Sequence, residues 1–358
     1  MYPVAQTIPV IGMELEPFVI LLITALAGGA FGAAIGALPA FIFTGFVVFL
    51  GEGVAILQRQ VAGLEAVPEG ELAAGITGVI GFGAITGPHI AFAGGVAASA
   101  YAGKKYPEME PEGWDYHFGK NILYAFGTKP DILAVGAIFG AVGMLITRVS
   151  GGLGVPTDGI ALSVVLTALL ARLAFGYPLV GSPAGSGYLD MTPFERGEKR
   201  AATDGGTAQA DRLATEPWLP HQYKWAGVAA IGLVGGVLSG YIWLQTESIF
   251  MGYAISAMSL LFLELGVEKI PVTHHMTLMG SVGAIVALPM TESALVALLA
   301  AGALGAISGL VGEFTQRVLY SHSGTHVDPP AMAITVVMVG VGVLYLVGVI
   351  PNSGYLGL

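Results

Sequence analysis

Two places in this chain put an ionisable side chain inside an apolar run. The first is Gly83-Ala84-Ile85-Thr86-Gly87-Pro88-His89, within a stretch that continues to Ala102. The second is Pro271-Val272-Thr273-His274-His275. Imidazole exchanges a proton near neutral pH and both donates and accepts hydrogen bonds. In such a setting it could relay a proton, hold an anion when charged, or hydrogen-bond a neutral solute. Proline removes a backbone donor and clashes one turn back, and glycine permits unusual dihedrals. Each run therefore reads as two half-helices whose free N–H or C=O groups need partners. Thr86, Gly87, Pro88, His89, Thr273, His274 and His275 are the candidate binding residues, with His89 and His275 the sharpest. The competing reading is that each ring satisfies backbone groups freed by the break.

Four carboxylates could couple or gate. Asp158 and Asp328 precede apolar runs, where each would also cap a helix, and Asp328-Pro329-Pro330 puts proline at its favoured first helical position. Glu52 and Glu264 sit toward the ends of two other runs, where a proton or cation site competes with snorkelling to the interface. His275 and Met279 are one helical turn apart, but methionine in an apolar run is usually packing, and no metal or other cofactor is expected.

These residues need elements to hold them, and composition dictates the kind. Of 358 residues, 54% are hydrophobic and 11% charged, and the mean hydropathy is +0.77. So little charge cannot cover a soluble surface, so the chain reads as an all-α, multi-pass protein of the lipid bilayer. The net charge of −10 leaves no basic footprint for nucleic acid. The absence of Cys excludes disulfides and thiol chemistry. The first 16 residues contain no Lys or Arg, so the positive region of a secretory signal is missing.

Apolar stretches of bilayer length fall at 17–38, 39–58, 72–103, 131–148, 158–175, 224–246, 247–266, 270–290, 292–312 and 331–350. Ten crossings with both termini outside place Arg59 and Arg148 outside and the other 12 of the 14 Lys and Arg inside, a strong positive-inside bias. The polar segment 176–223 then reads as a cytoplasmic, partly disordered linker between membrane units 1–175 and 224–358. Loop 104–130, with Trp114, Tyr116 and Phe118, is expected on the membrane surface of the cell membrane.

The two units echo each other. Gly28-Gly29 aligns with Gly235-Gly236, the run His89 to Ala98 with His275 to Ala284, and Gly154, Asp158 and Ala161 with Gly324, Asp328 and Ala331. Five spans per unit make the second unit enter from the opposite side. This predicts two inverted repeats with broken helices, a common plan of secondary transporters. The expected function is movement of a small solute or ion, coupled to H⁺ or Na⁺. A passive channel lined by His89 and His275 is the runner-up, and a non-transporting scaffold the third reading.

No Gly-x-x-x-x-Gly-Lys-Ser/Thr, His-Glu-x-x-His or Gly-x-Ser-x-Gly sequence occurs, so neither ATP-driven pumping nor enzymatic hydrolysis is expected. The stripes Gly28, Gly32, Gly36 and Gly232, Gly236, Gly240 suit close helix packing, and could also seat a second copy. Gly36-Ala37-Leu38-Pro39 with the Gly/Ala-rich broken segment beyond it resembles the large membrane subunit of tripartite tricarboxylate transporters. That resemblance implies a carboxylate solute, for which the spans hold few basic residues, although helix N-termini could serve.

Overall fold

The computed structural model describes residues 7–60, 74–200 and 212–358. Among them there is no strand, only two isolated bridges, Thr7 with Glu14 and Lys199 with Leu213. The helices are α1 (Leu15–Ile35), α2 (Ala37–Gln60), α3 (Ala93–Lys105), α4 (Pro130–Gly152), α5 (Gly159–Ala174) and the short α6 (Thr192–Glu195). After these come α7 (Trp225–Thr246), α8 (Met251–Glu264), α9 (His274–Thr291), α10 (Ala294–Thr315) and α11 (Pro329–Leu346).

Six helices are long and apolar enough to cross a membrane: α1, α2, α4, α7, α10 with its π-helical extension to Tyr320, and α11. Their outward faces carry large apolar side chains such as Ile20, Ile23, Leu238, Leu295 and Leu299, as lipid-facing surfaces require. The expectation of ten full crossings is thus met in part. The apolar helices α5 and α8 have 16 and 14 residues. At 1.5 Å per residue they fall short of a hydrocarbon core of roughly 30 Å.

The stretch 72–103 departs most from expectation. Its described part is a π-helical piece, Ala74–Gly81, then a turn, then a π-helical turn at Pro88–Phe92 that runs into α3. The reason is local. Pro88 cannot donate, and Gly87 N–H instead turns back to Gly83 O at 2.9 Å. Thr86 Oγ1 donates to Ile80 O at 2.9 Å, and Thr86 O accepts from Thr44 Oγ1 at 2.6 Å.

Helix packing follows one pattern on both sides of residue 200. α1 lies along α4 and α3, and α7 lies along α10 and α9. α5 packs on α4, and α11 on α10. Across the middle, α2 meets α8 and α5 meets α11. Glycine makes these crossings close. A Cβ at Gly94 of α3 would stand 2.5 Å from Gly29 O of α1, and one at Gly280 of α9 would stand 2.5 Å from Gly236 O of α7. The glycine stripes are spent within the chain: Gly28 and Gly32 abut Ala84 and Ala91, while Gly232 and Gly236 abut α10.

The polar segments fold inward. Loop 104–130, expected on the membrane surface, buries Phe118, Lys120 and Asn121. Outside 201–211, the expected loose linker is a strap tied to the helices. Gln222 exchanges two hydrogen bonds with the Val272 backbone, both 2.9 Å, and Arg317 donates to Leu189 O and Tyr223 O. Charge explains both. Glu216 of the strap is fully buried, with Lys120 Nζ of the loop at 2.6 Å and Arg212 at 2.9 Å. Removing one partner from such a cluster would leave a buried charge uncompensated.

Candidate functional site

Between the two packed units lies a cavity of about 740 Å³. Phe41, Phe82, Phe92, Phe250, Tyr253 and Trp218 contribute rings to its wall. The α1–α2 turn that brings Phe41 here passes through Gly36 at φ +97°, a conformation rare for other residues.

Three aspartates line the wall: Asp115 from the loop, and Asp158 and Asp328, each at a helix N-terminus. Asp158 Oδ1 accepts from Ala161 N at 2.8 Å and caps α5, and its Oδ2 accepts from the Tyr355 hydroxyl at 2.7 Å. Asp328 Oδ2 accepts from Ala331 N at 2.8 Å and caps α11, and its Oδ1 is 3.2 Å from His326 Nε2. Thr157 donates to Thr335 O, about two turns along α11 from Asp328. Gly342, further along α11, packs against Pro156, so Asp158 lies well along that helix from Asp328. The Tyr253 hydroxyl lies within electrostatic reach of both.

His274 also lines the cavity. Its ring lies 4.7 Å from that of Phe41 and 5.7 Å from that of Tyr253. It is 6% exposed, and its Nδ1 has no hydrogen-bond partner.

The other sequence candidates are scattered. Pro88 reaches the wall, but His89 does not. The His89 backbone packs on α4, where a Cβ at Gly143 would lie against its carbonyl oxygen. His275 is buried and does not line the cavity, with its carbonyl accepting from Ser308 Oγ at 3.1 Å and its ring edge-on to Trp218. Thr273 Oγ1 bonds Ser256 Oγ at 2.6 Å, and Thr86 and Gly87 knit the break. Glu52 is a structural tie, accepting from Ser248 Oγ at 2.6 Å and Thr77 Oγ1 at 3.3 Å. Glu264 ends α8 away from the cavity. Met276 and Met279 are fully buried packing residues.

Sequence reasoning passed over Tyr253, Tyr355 and the aromatic wall, because rings in apolar spans look like packing. Lys120 was also missed. It reaches one end of the cavity, its ammonium 4.4 Å from the Tyr320 ring centre. Burial drives Lys120 down to about 7 against the pull of Glu216. Burial alone would push the Glu216 carboxyl up, but Lys120 and Arg212 outweigh it and hold the group below its ordinary value. His117, whose Nδ1 accepts from Gly119 N at 3.0 Å, is pushed down to about 3 by burial.

Four pairs of wall residues coincide with the sequence alignment of the two units. Pro88 and His274, Phe92 and Leu278, Asp158 and Asp328, and Ala161 and Ala331 all line the cavity, and each pair is equivalent in the two-unit alignment. Residues 10–358 match the model of a family of unknown function, DUF7973, and the chain belongs to that family. No curated protein and no solved structure matches it.

Proposed function

We propose that this chain is an inverted-repeat secondary transporter that moves a small solute across the cell membrane, driven by H⁺ or Na⁺. The observation that carries this reading is the paired wall. Four pairs of residues aligned between 1–175 and 224–358 line one cavity. Inverted-repeat carriers place their solute at such a junction, beside interrupted helices. The matching packing of α1 on α4 and α7 on α10 supports the same plan.

Charge placement favours the proposed orientation. Lys120, Arg212, Lys224 and Arg317 gather around the strap, at the proposed cytoplasmic face. Arg59 instead donates to Thr246 O at the α7–α8 turn. Asp158 and Asp328 head antiparallel helices from opposite faces, so rocking one unit against the other would open the cavity to each side in turn. In this reading His274 contacts solute, Asp158 and Asp328 couple or gate, and His89 and His275 support the breaks.

Flux in proteoliposomes tests the reading. Solute accumulation only under an imposed H⁺ or Na⁺ gradient is expected. Flux that merely dissipates the solute's own gradient would replace the carrier with a channel.

A further inference from the structure

The charge in the cavity wall is unbalanced. Asp158, Asp328 and, from the loop, Asp115 line the space, and Lys120 is the one Lys or Arg among the described residues lining it. Lys120 is already engaged by Glu216 at 2.6 Å. His326 Nε2 lies 3.2 Å from Asp328 Oδ1, and no Lys or Arg among the described residues is paired with Asp158 or Asp328. A carboxylate held among apolar walls calls for a cation.

The walls say which kind. A volume of about 740 Å³ suits a small organic molecule and far exceeds a bare metal ion. Aromatic faces attract organic ammonium groups through their quadrupoles while accommodating an apolar body. Phe41, Tyr253, Phe250 and Phe82 form a continuous ring cluster, with neighbouring centres 5.0 to 6.4 Å apart. His274 adds an independent sign. Its Nδ1, buried at the wall and without a partner, can accept a hydrogen bond from an N–H group.

We infer that the cavity binds an organic ammonium cation with an apolar body, the charged nitrogen lying toward Asp328 and accepted by His274, with Asp158 adding to the negative field of the wall. This deepens the transport reading and rests on it for its biological meaning, but the binding itself does not require transport.

The test is equilibrium binding to purified full-length protein in detergent, with benzylamine, benzyl alcohol and benzoate as cationic, neutral and anionic probes of one shape. Benzylamine is expected to bind at least tenfold tighter than the other two. Asp328→Asn should erase most of that preference and Asp158→Asn a smaller part of it. Asparagine keeps the cap, and a melting curve confirms that each variant is folded. His274→Ala should weaken benzylamine severalfold and leave the charge preference standing. Equal binding of the three probes, a preference that survives both asparagine variants, or no benzylamine binding at millimolar concentration would overturn the inference. Sodium alone displacing benzylamine at equal concentration would overturn it too, by making the site one for an inorganic ion. The two readings fail separately. Benzylamine that binds but never crosses proteoliposomes removes transport and keeps the ligand class. Coupled flux of another solute without amine binding does the reverse.

Discussion

At the first interruption Pro88 meets the cavity and His89 turns away to pack on α4. At the second, His274 meets the cavity and His275 turns away to pack on α10. The two histidines that align are thus both supports, and the position before each faces the open space. One unit places a ring with no N–H there, the other a titratable imidazole. The carboxylates show the same divergence: Asp158 holds a tyrosine and Asp328 a histidine. Equivalent backbone can therefore carry unequal chemistry.

The equivalence is broken or sharpened most strongly at the helix crossings. Gly94→Ala and Gly280→Ala each force a Cβ to within 2.5 Å of a neighbouring backbone oxygen. Both should destabilise the fold by about 1–3 kcal/mol. Thermal melting in detergent checks this, and a large cost at one glycine with none at the other would end the structural equivalence. Next come the carboxylates. Asp158→Asn and Asp328→Asn keep their helix caps, so folded yield should hold while coupled flux falls by tenfold or more.

The histidines should then separate. His274→Ala is expected to lower flux about tenfold at unchanged stability. His275→Ala, which removes a fully buried ring, should lower the melting temperature and leave flux per folded molecule near wild type. The reverse pattern would return the site to the aligned pair.

The smallest effect lies outside the cavity, where the strap has no counterpart in the second unit. Asp190 accepts from the backbone and side chains of both Ser186 and Thr192, which holds its carboxyl well below the ordinary value. Its folded value is depressed, so the clasp's contribution is fully present above the unfolded value of 3.8 and is lost progressively as pH falls from there through the folded value. Amide protection factors at Ser186 and Thr192, corrected for intrinsic exchange, should stay constant between pH 5 and 8 and fall only below about pH 4.

Much of this was legible in the sequence. Composition yields the all-helical membrane class, Gly87-Pro88 marks the break, and Asp158 and Asp328 read as caps, which the structure bears out. The glycine stripes read as close packing, which they make, but the pairing of Gly29 with Gly94 and of Gly236 with Gly280 emerges only in the structure. What stayed hidden depends on direction in space. Sequence cannot say which face of α9 meets a cavity, so His275 looked sharper than His274. Nor can it show that Glu216 and Lys120, far apart along the chain, neutralise each other and draw a polar loop and strap into the protein.

The proposal that one cavity opens alternately to the two faces is tested most directly by side-specific labelling. The chain has no cysteine, so single replacements are clean. Ala161→Cys and Ala331→Cys sit at equivalent wall positions. Membrane-impermeant thiol reagents should reach both Ala161→Cys and Ala331→Cys from each side of the membrane, with labelling from either side slowed by bound solute. Labelling of both positions from one side alone, or of neither from any side, would contradict alternating access at this cavity.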